Sequence, residues 1–128
     1  MSMRNRVARY GILAGVLVAA CGCGKSSEQL AEQITGGKTA EGKTKISYYG
    51  CSSCHTIPGV KGADALVGPP LDRIASRSYI GGVLNNTPDN MILWLKDPPA
   101  VAPKTAMPNM HITEADARDI ASYLYTLK

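Results

Sequence analysis

Cys51-Ser52-Ser53-Cys54-His55 constrains this chain more than any other stretch of its sequence. Two thiols three residues apart can reach the two vinyl groups of one haem. The histidine that follows then stands under the iron as proximal ligand. For that reason Cys-x-x-Cys-His is the attachment signature of a c-type haem. A haem bonded in this way is a permanent piece of the core, and this chain needs one. It has 128 residues, no Phe and 5% aromatic residues. A domain so small and so poor in large side chains has a thin core and ordinarily depends on a staple.

Other uses of the same cysteines fit less well. A thioredoxin-like Cys-x-x-Cys sits in a βαβ setting, and no Val/Ile-rich strand run lies near residues 51–54. A zinc site takes further Cys or His ligands, and the only other histidine is His111. A structural Cys51–Cys54 disulfide would give His55 no role.

Cys21 and Cys23 stand behind a different signal. Arg4, Arg6 and Arg9 precede the apolar run Gly11–Ala20, which is the order of a secretory signal peptide. The run is too short to span a bilayer comfortably as a helix. Val18-Ala19-Ala20-Cys21 resembles a bacterial lipobox. That resemblance implies a signal peptide over 1–20, cleavage before Cys21 and lipid on its sulfur, with acyl chains holding the protein on a membrane. Residues 22–41 are polar and Gly-rich. They read as a flexible tether, so a lipid-anchored tether spans 21–41 and a folded domain spans 42–128. Cys23 takes no assigned role. The formal charge of +4 comes from 14 Lys and Arg against 10 Asp and Glu. Without the three signal arginines, 11 basic side chains face 10 acidic ones. No basic block remains, so nucleic acid is not an expected partner.

Punctuation along the domain predicts helices separated by loops. A first helix spans about 42–50 and ends at Gly50. Residues 56–71 read as loop, with Pro58-Gly59, Gly62 and Gly68-Pro69-Pro70-Leu71. A short helix over about 71–77 and a Gly81-Gly82 turn follow. Thr87 caps the next helix, with Pro88 at its first position and Asp89 at its positive end. It runs to about Lys96 and stops before Pro98-Pro99. Met91, Trp94 and Leu95 share one face. Residues 97–112 form an extended loop stiffened by Pro98, Pro99, Pro103 and Pro108. The last helix starts at Thr113, with Asp116 in a capping-box variant. Ala117, Ile120, Ala121, Leu124 and Leu127 are its apolar stripe, and Arg118, Asp119, Ser122 and Thr126 lie opposite. The architecture is all-α, and no strand is required.

Residues 43–128 resemble a class I cytochrome c, with the pieces in family order. Cys51-Ser-Ser-Cys-His55 follows the first helix. Gly68-Pro69-x-Leu71 resembles the turn whose Pro carbonyl accepts a hydrogen bond from the ligand histidine, which implies that role for Pro69. Pro103-Lys-Thr-Ala-Met107-Pro108 resembles the distal loop, and Tyr123-Leu124 the terminal-helix signature. Thr87-Pro-x-Asn90 through Trp94-Leu-x-x-Pro98 is most similar to cytochrome c domains fused to oxidase subunit II. In the family the first helix presents an aromatic to the terminal helix; Ile46, Tyr48 and Tyr49 are the approximate counterparts here.

The distal ligand has three candidates, Met107, Met110 and His111. Thioether is soft, suits low-spin iron and raises the potential relative to a second imidazole. Met107 holds the family's Met-Pro position inside the stiffened loop. Met110 suits packing, and His111 a surface or capping place. Trp94 is a core aromatic or, by its spacing to Met107 and the family resemblance, a wall of the haem pocket. Lys61 and Lys104 ring the haem edge and steer an acidic partner, or are plain solvated charge. Tyr79, Arg73 and Asn86 are candidate propionate partners.

The resemblance implies one covalently attached haem c with His55 and Met107 as its iron ligands. It implies a single-electron carrier rather than an enzyme, with no small-molecule substrate at the metal. The carrier would be exported and anchored to a bacterial membrane, facing the periplasm or the cell exterior. Its partners would be a quinol-oxidising complex, a terminal oxidase or a dehydrogenase. Alternatives are a haem subunit docked in a larger oxidase or dehydrogenase, a haem sensor or enzyme with a labile distal Met107, and a thiol–disulfide oxidoreductase at Cys51 and Cys54.

Overall fold

The computed structural model describes residues 24–128. The expected signal peptide, Cys21 and Cys23 lie outside the described residues. The helices are α1 (Ser27–Thr35), α2 (Thr39–Tyr48), α3 (Pro88–Lys96), α4 (Pro98–Val101) and α5 (Glu114–Tyr125). Tight 3₁₀ turns at Cys51–Ser53 and Ile74–Ser76 and a hairpin of β1 (Tyr79–Ile80) and β2 (Leu84–Asn85) complete the described chain. The fold is all-α with that one small antiparallel pair, which the sequence did not require. Gly81 and Gly82 both adopt positive φ between its strands, the turn that glycine pairs allow.

α5 is the element on which the others pack. Thr113 Oγ1 accepts from the Asp116 backbone N–H at 3.2 Å, and Glu114 and Asp116 oppose the positive helix end. Ala117, Ile120, Ala121 and Leu124 are buried as their spacing predicts. The opposite face is not a solvent face. Ser122 is fully buried and shares a 2.9 Å hydrogen bond with Thr39 Oγ1. The Arg118 guanidinium donates to the Thr35 carbonyl at 3.0 Å, and Asp119 Oδ1 accepts from the Lys38 N–H at 2.7 Å. Those polar side chains hold α1 and the start of α2.

The flexible tether and the domain start at residue 42 are therefore corrected. Residues 27–35 are helix, and α2 begins at Thr39. Ser26 and Gln29 form a reciprocal capping box, and Gly36 closes α1 in the left-handed region. Ala31 and Thr35 are buried against the domain. Polar composition concealed a helix whose docking uses hydrogen bonds and small residues rather than a wide apolar stripe.

α2 crosses α5 at backbone contact. A Cβ on Gly42 would collide with the Asp119 carbonyl, lying 2.6 Å from its carbon. Ile46 is buried beside the crossing. The Tyr49 hydroxyl donates to Asp116 Oδ2 at 2.7 Å, and Lys45 pairs with Oδ1 at 2.9 Å. Together they hold the Asp116 carboxyl below its ordinary range. Tyr48 is exposed and meets the Tyr49 ring edge-on, with centroids 5.0 Å apart, and does not reach α5 itself.

Two other expectations shift. The helix over 71–77 is only the turn Ile74–Ser76, because Arg73 enters it with φ of 50°. The loop over 97–112 contains α4, whose start Asp97 caps by accepting from the Ala100 N–H.

Tyr125 is buried and donates to Asn86 Oδ1 at 2.7 Å. Burial pushes its phenol up to about 12 and raises that of Tyr123 as well. The folded state thus holds these protons more tightly than the unfolded one. Stability carried by the neutral phenols is whole below about pH 10, their ordinary value. It is lost as pH rises toward the folded value of about 12. Urea midpoints of the reduced protein are expected to fall across that window, and Tyr125→Phe to remove part of the fall. An identical fall in the variant would clear this phenol of any role.

Candidate functional site

Gly50, at φ 73°, turns the chain out of α2 into the Cys51–Ser53 turn. The Cys54 and His55 N–H groups both donate to the Cys51 carbonyl, at 3.2 and 3.0 Å. Both thiols and the imidazole thus stand on one tight turn. Cys51 and Cys54 are unpaired and half-buried. Burial pushes the Cys51 thiol above its ordinary value.

The loop after His55 folds back onto it. Gly68 N–H donates to the Cys54 carbonyl at 2.7 Å, and Leu71 N–H to the Thr56 carbonyl at 2.8 Å. This return puts the Pro69 carbonyl 2.7 Å from His55 Nδ1. A carbonyl only accepts, so Nδ1 carries the proton and Nε2 keeps a free lone pair. The imidazole lies against Gly68, where a Cβ would stand 2.7 Å from Nδ1. Gly68→Ala is therefore expected to push the ring off the Pro69 carbonyl. The Nδ1 proton of the reduced protein should then exchange with solvent faster by NMR; unchanged exchange would mean the loop yields instead. Arg77 braces the same loop by donating to the Pro70 and Asp72 carbonyls.

Trp94, half-buried on α3, packs on the hairpin: a Cβ on Gly81 would lie 2.5 Å from its ring. Pro103 begins a turn closed by the Thr105 N–H on the Ala102 carbonyl at 2.9 Å. Thr105 Oγ1 then accepts from the Met107 N–H at 3.2 Å. Met107 and Met110 both pack against the core as partly buried side chains. His111 is exposed, at φ 55°. Leu66, Val67, Tyr79 and Val83 are exposed although apolar or aromatic. Lys61 and Lys104 are exposed too.

Asn86 is committed elsewhere. Its amide donates to the Ile74 and Arg77 carbonyls at 2.8 Å each and accepts from Tyr125. That removes it from the propionate candidates, while Arg73 and Tyr79 stay exposed. Among the described residues no three His, Cys, Asp or Glu side chains come together as a metal cage.

The family described as Cytochrome c matches residues 39–128. The chain belongs to the cytochrome c family. This cytochrome c carries covalently bound haem c and serves haem-based electron transfer. The residues present fit that group. They offer two unpaired thiols at the attachment spacing, a histidine with Nε2 free, a methionine on a braced loop and uncovered apolar side chains. The chain is 28% identical over 89 residues to cytochrome c oxidase subunit 2 of Alkalihalophilus pseudofirmus, covering 69% of this chain and 25% of that one. It is 30% identical over 87 residues to the subunit 2 of Bacillus subtilis, covering 66% and 24%. The chain thus spans about a quarter of the length of the curated relatives it matches. No solved structure matches it significantly. α1 precedes the residues that the family matches.

Sequence reasoning missed Gly42 and α1. A glycine inside a helical pattern signals a packing reason, and Ser26-x-x-Gln29 is a capping signature.

Proposed function

We propose that this cytochrome c is a monohaem electron carrier anchored to a bacterial membrane by lipid on Cys21, with His55 and Met107 as axial ligands. The observation that carries the haem-site reading is the His55–Pro69 hydrogen bond, beside the two unpaired thiols, with Nε2 left to bind. Bound haem c supplies an iron that takes up and gives back one electron at a time. Cys51 and Cys54 hold the group through two thioethers. The Pro69 carbonyl fixes the tautomer and orientation of His55 and makes Nε2 the stronger donor. The Pro103–Pro108 loop holds the Met107 sulfur, a weak ligand that needs its backbone set beforehand. Trp94, with the exposed Leu66, Val67, Tyr79 and Val83, would cover the group and exclude water.

The setting is a bacterial membrane, with the domain facing the periplasm or the cell exterior. Partners are a quinol-oxidising complex, a terminal oxidase or a dehydrogenase. The similarity to oxidase subunits 2 favours a terminal oxidase as acceptor and supports a second reading, a subunit docked in such a complex. Co-purification with an oxidase would separate the docked subunit from the free carrier.

The test is a denaturing gel of membrane-extracted protein. Haem is expected to stay on the chain, and intact mass to exceed acylated polypeptide by one haem. A mass without that increment would sink the attachment. Cys21→Ser is expected to leave the haem in place and release the protein from the membrane or block its processing. A correctly processed variant still bound to membranes would remove lipid as the anchor.

A further inference from the structure

Among the described residues, the exposed large apolar side chains besides Tyr48 fall into two groups. Leu66, Val67, Tyr79 and Val83 are the ones assigned above to covering the haem. Leu30, Ile34 and Leu93 are exposed as well, at 42%, 52% and 48%, and the site does not use them. Leu30 and Ile34 stand one turn apart on α1. Leu93 lies on α3, which α1 touches. α1 precedes the family-matched residues, so Leu30 and Ile34 lie outside that match.

α1 cannot swing away from the domain. Ala31 and Thr35 are buried, and a Cβ on Gly37 would collide with the Arg118 carbonyl. The Arg118–Thr35 and Lys38–Asp119 hydrogen bonds fasten its end to α5. The Thr39 N–H donates to Glu32 at 2.9 Å and ties α1 to α2. Whatever the outer stripe of α1 meets, the whole domain meets.

Chain length selects the occupant. Only residues 22–25 separate Cys21 from the capping Ser26. Five steps of fully extended chain reach about 17 Å, roughly half the width of a domain this size. An acylated Cys21 therefore keeps the start of α1 beside the headgroups. We propose that α1 lies on the bilayer surface with Leu30 and Ile34 among the headgroups, and that this holds the domain in one orientation. The proposal rests on the lipid anchor above. Two apolar side chains bind lipid weakly alone, and the anchor supplies the local concentration that makes the contact persist.

The test uses acylated, haem-loaded protein in vesicles of phosphatidylethanolamine and phosphatidylglycerol. In a Cys23→Ser background, a fluorophore is placed at Ile34→Cys or at the exposed loop position Lys61→Cys. Nitroxide-bearing lipids are expected to quench position 34 roughly threefold more than position 61, as insertion into the headgroup region requires. Equal quenching in protein that sediments with the vesicles overturns the proposal and leaves the anchor standing. Protein that does not sediment overturns the anchor and the proposal together. Inserting about ten Gly and Ser residues after Gly24 lengthens the leash. The stronger quenching at 34 is expected to survive the insertion and to be lost when Leu30→Ser is added. Loss on insertion alone means confinement without docking and overturns the proposal. Protection of position 34 in native membranes but not in vesicles assigns the stripe to a protein partner and also overturns it.

Discussion

Met107→Ala is expected to abolish the methionine-to-iron charge-transfer band of the oxidised protein and to lower its potential by tenths of a volt, within the roughly 0.8 V range that axial ligation spans. Thioether favours Fe(II) relative to the water or nitrogen ligand that would replace it. Haem stays on the chain, because Cys51 and Cys54 are untouched. Met110→Leu is the paired control. Met110 packs against the core, and exchanging it for another flexible apolar side chain of similar volume costs little. Its band and potential are expected to match the wild type. Loss of the band in Met110→Leu with retention in Met107→Ala would reverse the assignment. A wild type without the band would put a haem sensor or enzyme ahead of the carrier.

Gly42→Ala adds one methyl group and is expected to cost more stability than any surface change in the protein. The new Cβ meets the Asp119 carbonyl, which is backbone of α5 and cannot rotate aside. Overpacking of this kind costs about 3 kcal/mol. For a domain of this size that lowers Tm by roughly 12–24 °C. In an ordinary helix interior the same substitution would stabilise by about 1 kcal/mol, so even the sign reports on the crossing. Gly62→Ala provides the contrast, since its φ of 72° strains any side chain but its surroundings are open. It is expected to lose far less. Thermal melts of the three proteins, haem attached, decide the matter; a Gly42→Ala melt at or above the wild type would show that α2 and α5 can separate without penalty.

What was legible in the sequence was what depends on neighbours along the chain. The Cys51–His55 turn, the Thr87 and Thr113 caps and the apolar stripe of α5 are short-range patterns. The return of Pro69 to His55 spans 14 residues and came from family resemblance, since no local rule specifies it. α1 was hidden because its partners are remote: Thr35 meets Arg118 across 83 residues. Ser122 looked like a surface residue because periodicity places it opposite the stripe, and only Thr39 explains its burial. Gly37 and Gly42 read as flexibility in one dimension and as close contact in three.

The dependence of α1 and α2 on α5 also sets an order of events during synthesis. α1 and α2 are made before the surface they pack on, which is encoded by residues 114–125. Contacts between such distant segments form only after a long loop has closed. A chain threaded out from its N-terminus therefore exposes Cys51 and Cys54 well before its last helix can shut the fold. The interval between those two moments is open to whatever machinery joins the thiols to their cofactor. Shortening that interval, rather than altering the motif, would be a way to leave the cysteines bare.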